Sequence, residues 1–434
     1  EMYGKFKRRV VRPTQDVIDE ARELKKYNTK CVYFQDDIFG FEREWMEEFM
    51  PKWRDEVGLP FHAQLRLELA YGDAGKRRLH LMKEAGCTGI TVAVENGDYN
   101  VRKGVLDRPM RDAHIFEGCR NIAKEGLPLR TEQILGVPTL ETRAGESVIN
   151  IDLKTLRVNT LARPTISWTA ILAPYGGTEL GKLCAKLGLY EESRLATNDD
   201  VKDSFFDDTE LNYSPLYKNQ VKVLQRLFST FAHIDRGHEI AERFLVTELP
   251  HFSQRTIEDA LVPLTEIGKI TKVKLYDNEL YGTKNERITG GADSCKTSVA
   301  RYPVGDTDEH RKNPNELLLP EKGITLEELP ATTTDETHSS ILRQVSPLWA
   351  YVPRGEVIAK QFIDSFQNYS PAQQQAFLEV TKVLGHVTTE ILAKGPLDRE
   401  AAIDALIAEE DIRFGKKHEA EDSLVTGQAA VHQD

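Results

Sequence analysis

The stretch Phe61-His62-Ala63-Gln64-Leu65-Arg66-Leu67-Glu68 carries two chemically distinct faces. Successive side chains of an extended chain point to opposite sides. Phe61, Ala63, Leu65 and Leu67 therefore form an apolar face, and His62, Gln64, Arg66 and Glu68 a polar one. The same split sets Ile90, Val92 and Val94 against Thr91, Ala93 and Glu95, and Ile166, Trp168, Ala170 and Leu172 against Thr165, Ser167 and Thr169. A doubly wound parallel sheet is covered by helices on both faces and reads apolar on both. Strands with one polar face are expected instead to line a lumen that holds something polar, as an incomplete barrel does.

Outward from these strands, residues 1–190 alternate β-prone runs with helical ones. A helix follows Pro13, with Val17, Ile18, Ala21 and Leu24 on one face, and leads into a strand over 30–35. Then come a helix over 42–56, the strand 61–68, a helix over 75–85 stopped by Gly86, and the strand 89–95. Helical stretches closed by Gly126, the strand 129–136, a helix over 144–158, the strand 164–173 and a helix over 178–187 complete the series. Such alternation implies a parallel sheet with crossover helices, and a glycine just past a helix is a common terminator.

The remainder has another texture. Residues 191–236 read as an acidic connector and a helix. Residues 237–285 predict a small winged-helix-like module: two helices, Gly268, and short strands over 270–275 and 279–282. Residues 286–340 read as a polar linker, 341–415 as a helical region in which Ser370-Pro371 opens a helix, and 416–434 as a flexible tail. The second helix of the winged module carries Glu258, Asp259 and Glu266 against Arg255, and the wing carries Lys269, Lys272 and Lys274. That balance favours protein docking or structural support over DNA reading.

Composition narrows the function classes. The 434 residues are 40% hydrophobic and 29% charged, enough for a buried core and unlike a disordered chain. With 57 Lys and Arg against 69 Asp and Glu, the net charge of -12 disfavours general nucleic-acid binding. No apolar run approaches the ~20 residues of a membrane span. The five cysteines (Cys31, Cys87, Cys119, Cys184, Cys295) stand far apart, with no CxxC and no secreted disulfide spacing, which suits the cytoplasm.

Polar and glycine motifs follow each expected strand: Asp36-Asp37, Glu68, Glu95-Asn96-Gly97, Gly136-Val137-Pro138 and Pro174-Tyr175-Gly176-Gly177-Thr178. Each alone is an ordinary helix entry or turn. Together they fall at C-terminal strand ends, the face on which parallel α/β barrels carry their active sites. Glu95 is placed to accept hydrogen bonds from a ribose diol. Gly136, Gly176 and Gly177 allow close backbone approach. Gln64 and Arg66 point into the lumen, where they can fix a carboxylate or polar substrate; equally, Arg66 can pair internally with Glu68 or Glu95. His62, lower on its strand, reads as a satisfied interior histidine.

The ordered series Tyr3-Gly4, Lys7-Arg8-Arg9, Val17-Ile18-Asp19-Glu20, Val32-Tyr33-Phe34-Gln35-Asp36-Asp37-Ile38-Phe39, Lys83-Glu84-Ala85-Gly86-Cys87, Val94-Glu95-Asn96-Gly97, Val105-Leu106-Asp107-Arg108, Leu135-Gly136-Val137-Pro138 and Pro174-Tyr175-Gly176-Gly177-Thr178 resembles the radical S-adenosylmethionine (radical SAM) superfamily, in its cobalamin-associated branch. The resemblance covers residues 1–190. It implies a partial (β/α)6 TIM-like barrel with parallel strands, and S-adenosylmethionine bound at the strand ends. Asp36 and Asp37 would lie near the methionine moiety, Glu95 at the ribose, and Gly136, Val137 and Pro138 near the adenine. It also implies a [4Fe–4S] cluster, a reductant such as a flavodoxin or ferredoxin, cobalamin on an upstream domain, and either radical hydrogen abstraction or cobalamin-dependent methyl transfer.

The sequence departs from that pattern twice. The CxxxCxxC motif that ligates the cluster is absent. In similar sequences it precedes a segment like Met2-Tyr3-Gly4, so a chain beginning at Glu1 is expected to have its natural start, cluster loop and first barrel strand upstream. The usual Gly-Leu-Pro-Gly-Glu-Thr is here Gly136-Val137-Pro138-Thr139-Leu140-Glu141-Thr142. Two other readings stand beside this one. The first is a non-radical barrel lyase or aldolase using Arg66, Glu68 and Glu95 on a carboxylated substrate. The second is a binding protein in which the barrel supports the winged helix.

Overall fold

The computed structural model describes residues 11–195, 208–276 and 348–415. The linker over 286–340, the second wing strand, the tail over 416–434, Cys295 and the first ten residues lie outside them. In chain order the elements are α1 (Thr14–Leu24), β1 (Val32–Phe34), α2 (Arg43–Lys52), β2 (Phe61–Leu65), α3 (Gly72–Glu84), β3 (Cys87–Glu95), α4 (Tyr99–Gly104), α5 (Asp112–Lys124), β4 (Leu129–Leu135), α6 (Ile149–Ala162), β5 (Ile166–Ile171) and α7 (Glu179–Lys186). Then follow α8 (Pro215–Ala232), α9 (Gly237–Glu242), α10 (Gln254–Tyr276), α11 (Gly355–Phe366), α12 (Pro371–Leu392) and α13 (Arg399–Phe414).

The fold is α/β, with a parallel five-stranded sheet in the order β1-β2-β3-β4-β5. Strand order that follows sequence order winds the chain one way round, as in a TIM-like barrel; a doubly wound sheet reverses at a switch point. All five expected strands form. β2 is shorter than the expected 61–68, because residues 67–70 turn into a 3₁₀ helix that buries Leu67, Leu69 and Ala70. α6 begins at Ile149 rather than near residue 144 and runs past 158 to Ala162.

Two cores flank the sheet. Around β1 and β2, Phe34, Phe39, Phe49, Trp53 and Phe61 stack edge to face beneath α2. Beyond β4 and β5, α8, α10, α11 and α12 share a second core with Phe228, Phe231, Phe244, Trp349, Phe362 and Phe377.

The parity expected for the last strand is corrected. Ser167 does not face the lumen: with Thr131 of β4 it faces α6, where both hydroxyls donate to the Asn159 Oδ1, at 3.1 and 2.6 Å. Trp168 occupies the concave side instead, under the Arg130 guanidinium at 4.2 Å. The outer edge of β5 is then closed by a helix rather than a strand. Gln225, Ser229 and His233, one turn apart along α8 and at its C-terminal cap, meet the carbonyls of Thr169, Ser167 and Thr165. An open row of carbonyls would otherwise lack partners.

The winged-helix expectation is corrected as well. Residues 270–275, expected as a strand, are the last part of the long helix α10. Ile270-Thr271-Lys272-Val273-Lys274-Leu275 alternates well enough for a strand. It also continues the stripe Ile257, Leu261, Leu264, Ile267 and Ile270 that is buried against α8 and α12, and the longer pattern prevails. Gly268 is not a turn: a Cβ there would come within 2.4 Å of the Arg226 carbonyl, so it marks where α10 crosses α8.

Candidate functional site

The concave face of the sheet is assembled from alternate residues of neighbouring strands. Tyr33 stacks on His62 with ring centroids 4.9 Å apart, and His62 Nε2 lies 2.7 Å from the Thr91 hydroxyl. Burial, with Arg130 nearby, pushes His62 down to about 3, so it is neutral and serves as the interior group the sequence suggested. Above it, Gln64 Nε2 donates to the Tyr33 hydroxyl at 3.2 Å. Arg130 pairs with Glu132 at 2.5 Å on β4.

At the C-terminal rim the polar residues converge. Arg66 pairs with Glu68, whose side chain is almost fully covered. Glu95 pairs with Arg108 at 3.2 Å, not with Arg66, which was the expected partner if Glu95 was only structural. Arg66 and Glu132 both lie close enough to act on the Glu95 charge. Burial raises the Glu95 carboxyl above the usual range, Arg108 and Arg66 pull it down, and Glu132 pushes it up. Glu95 also holds a φ of +63°, where pairing of β3 with β4 slips by a residue. A non-glycine residue in that region carries strain of about 1–3 kcal/mol, which marks a position fixed by its surroundings.

Behind Glu95 the turn is built for packing. A Cβ on Gly97 would meet the α6 backbone at Lys154 and Thr155 within 2.4 Å. The Gly97 N–H donates to the Thr155 hydroxyl, and Asp98 caps α4 by accepting from Asn100 and Val101. The Gly136-Val137-Pro138 turn is buried and tied from both sides: the Gly136 N–H donates to Asp152 Oδ1 at 2.9 Å, and Tyr213 donates to the Gly136 carbonyl at 2.9 Å. Asp152 also accepts from the Tyr217 hydroxyl at 2.6 Å, and burial pushes its carboxyl up to about 7. The departing residues after it close on themselves through Thr139 and Thr142.

Thus Gln64, Arg66 and Glu95 share the concave side with Glu68, Arg108 and Glu132, as the strand alternation suggested for the first three. Asp36 and Asp37 stand exposed in the turn after β1, which is anchored by the Phe39 N–H donating to the Gln64 carbonyl. Gly136, Val137 and Pro138 form a wall rather than a set of open donors. Sequence reasoning quoted Arg108 only within the motif series and Trp168 only as an apolar strand residue, and gave no place to Arg130, Glu132 or Asp152. The i, i+2 alternation of Arg130 and Glu132 within Leu129-Arg130-Thr131-Glu132 was a usable signal; nothing local marks Asp152, which reads as a surface residue of a helix.

The described residues offer an acceptor suited to vicinal hydroxyls, such as a ribose carries, and no converging set of thiolates for a cluster. A carboxylate at a strand end, its side chain 18% exposed and bridged by a half-exposed arginine, is the right acceptor for vicinal hydroxyls. Cys87, Cys119 and Cys184 are buried, and burial pushes each thiol up to about 12, away from the thiolate form that iron requires. Among the described residues no three His, Cys, Asp or Glu side chains converge to hold a metal ion, and no helix is long and apolar enough to cross a membrane.

No family model matches the chain. Over 235 residues it is 28% identical to the cytidylyl-2-hydroxyethylphosphonate methyltransferase of Streptomyces wedmorensis. The match takes in 53% of this chain and 38% of that enzyme, so the chain spans well under half the length of the curated relative it matches.

Proposed function

We propose that this chain supplies the cofactor-binding barrel of a radical SAM methyltransferase, with S-adenosylmethionine lying across the C-terminal rim of β2, β3 and β4. The observation that carries the reading is Glu95: a strained, largely covered carboxylate at a strand end, bridged by one arginine. Likeness to a methyltransferase and the ordered motif series of residues 1–190 support it. Glu95 accepts from the ribose hydroxyls. Arg66 and Gln64 face the carboxylate end of the methionine moiety, beside Asp36 and Asp37. The Gly136–Pro138 turn, fixed by Asp152 and Tyr213, walls the adenine side. In that superfamily the bound cofactors supply one-electron cleavage of SAM or methyl transfer through cobalamin; the barrel holds the reactants in register and keeps water out. The cluster is assigned to cysteines that are not in this chain, since of its five cysteines only Cys295 lies beyond the described residues, and its electrons to a flavodoxin- or ferredoxin-type donor.

Calorimetric titration of S-adenosylmethionine into the anaerobically reconstituted holoprotein tests this. Glu95→Gln keeps the shape but weakens charge-assisted hydrogen bonds of about 1.5–3 kcal/mol each, so affinity should fall about tenfold to a hundredfold. Equal dissociation constants overturn the ribose assignment, and no binding by the wild-type holoprotein overturns the whole reading.

A further inference from the structure

The turn after β4 is held by more buried polar groups than a turn requires. Gly136 stands at a φ of +77°, a conformation that glycine enters and leaves at little cost. Both peptide planes that flank it are nevertheless fixed by side chains. The Gly136 N–H, on the plane shared with Leu135, donates to Asp152 Oδ1 of α6 at 2.9 Å. The Gly136 carbonyl, on the plane shared with Val137, accepts from the Tyr213 hydroxyl at 2.9 Å. The second Asp152 oxygen accepts from the Tyr217 hydroxyl of α8 at 2.6 Å. A Cβ at Gly136 would stand 3.3 Å from that same hydroxyl. Tyr213 and Tyr217 meet edge to face, with ring centroids 4.7 Å apart. Asp152 and Tyr217 are fully buried and Tyr213 almost so.

The loop that follows the turn is tied to the same segment. The Gly145 N–H donates to the Asn212 carbonyl at 2.8 Å, and the Ser214 N–H to the Glu146 carbonyl at 3.0 Å. The Asn212 N–H in turn donates to the Leu189 carbonyl, just past α7, at 2.7 Å. Residues 211–217 thus clamp the turn and its loop from a part of the chain beyond residue 190, outside the stretch that carries the motif series. Burying a carboxyl and two hydroxyls is unfavourable even when each is hydrogen-bonded, and an apolar side chain at position 152 would pack without that cost. The groups are explained by what they do to Gly136: they deny it the plane rotations that its lack of a side chain permits.

We propose that Asp152, Tyr213 and Tyr217 are positioning residues for the adenine end of the cofactor, holding the Gly136–Pro138 turn in one conformation before the base arrives. They act through the turn and not on the ligand. A wall that is already ordered spares the ligand the cost of ordering it, which appears as affinity. The inference rests on the adenine side proposed above, and it gives the segment after the barrel a part in cofactor binding.

The test is NMR titration of the full chain with 5′-methylthioadenosine, which carries the base and the ribose without the amino acid. Asp152→Leu should weaken binding about tenfold or more. Asp152→Asn should stay within about threefold of the wild type, because its amide oxygen still accepts from the Gly136 N–H and its amide nitrogen meets the Tyr217 hydroxyl. Tyr213→Phe combined with Tyr217→Phe keeps both rings and should lose about fivefold or more, which carries the test if Asp152→Leu does not fold. In the unliganded chain, amide exchange at Gly136 should quicken about tenfold in Asp152→Leu and stay near the wild type in Asp152→Asn. Glu95→Gln separates base from ribose: its loss should multiply with that of Asp152→Leu, as independent contacts do. Unchanged affinity in Asp152→Leu or in the double tyrosine variant, a loss in Asp152→Asn as large as in Asp152→Leu, or a Glu95→Gln effect that vanishes in the Asp152→Leu background each overturns the proposal. A wild type that does not bind the nucleoside overturns the adenine assignment along with it. Binding that Glu95→Gln weakens and Asp152→Leu does not leaves the cofactor site standing and overturns this inference alone.

Discussion

Glu95 and Arg108 form an ion pair at the rim of the proposed cofactor site, and its surroundings shift the Glu95 carboxyl in a defined direction. Burial already raises the Glu95 carboxyl, and Arg108 is the strongest group pulling it back. Arg108→Met removes that pull, so the carboxyl climbs further and protonates at a higher pH than in the wild type. As pH falls, cofactor affinity should then be lost at a higher pH in the variant than in the wild type; superimposable pH profiles by calorimetry would show that Arg108 does not govern Glu95. Glu95, Gln64 and Arg66 were legible because period-two alternation places a side chain on a face whatever the rest of the molecule does. The pairing of Arg108 with Glu95 was not, although the motif series contains Arg108, because it arrives from the connection after α4, where no periodicity fixes direction. Lys272 was read as part of a basic wing, and the helical state of 270–275 leaves no wing strand there.

At the scale of elements, alternation tells which residues share a face but not which face is core. In β5 the hydroxyl side was expected to be wet; it is the covered side, because Asn159 of α6 accepts from both Thr131 and Ser167 and donates to the Thr155 carbonyl. Trp168 was expected beneath helices and lies in the lumen instead, where Arg130 covers its ring. The physical lesson is that a fully hydrogen-bonded hydroxyl layer packs as readily as an apolar one. Asn159→Leu removes the acceptor that the Thr131 and Ser167 hydroxyls share, leaving them the longer contacts to each other and to the Ile166 carbonyl, and should lower stability by about 1–3 kcal/mol in chemical denaturation. Replacing the hydroxyls too, in Asn159→Leu with Thr131→Val and Ser167→Ala, should restore most of the loss, since no donor is then left unpaired. A triple variant no better than the single would mean that Asn159 acts through shape rather than hydrogen bonding.

The whole molecule is joined at its far end. α13 packs across α4 and α5, and its Glu410 accepts from the Asp112 N–H at 2.9 Å while sharing the fully buried Arg102 with the Asp112 carboxylate. Arg102 also donates to the Asn96 carbonyl, next to Glu95, and Arg111 lies over Tyr99 beside Phe414. The C-terminal helix therefore buttresses the turn that holds the rim. Two carboxylates on one guanidinium cannot both ionise cheaply. Burial first, and Asp112 second, push Glu410 up to about 7 from 4.5, against the pull of Arg102 and Arg111. The sign follows: the folded protein keeps a proton here that the unfolded chain releases, so docking of α13 weakens as pH rises from about 4.5 through about 7. Glu410→Gln retains an acceptor for the Asp112 N–H and carries no charge at any pH. Relative to the wild type it should gain about 2 kcal/mol between pH 5.5 and pH 8, a difference of several degrees in melting temperature. Glu410→Ala loses the acceptor and should be less stable than Gln at both. Because Arg102 links this helix to Asn96, amide exchange at Asn96 and Gly97 should follow the same order, fastest in Ala and slowest in Gln at pH 8. Destabilisation by Gln at pH 8 would show that the Arg102–Glu410 charge pair stabilises the dock outright, and that the helix is held by an ion pair rather than by a shared proton.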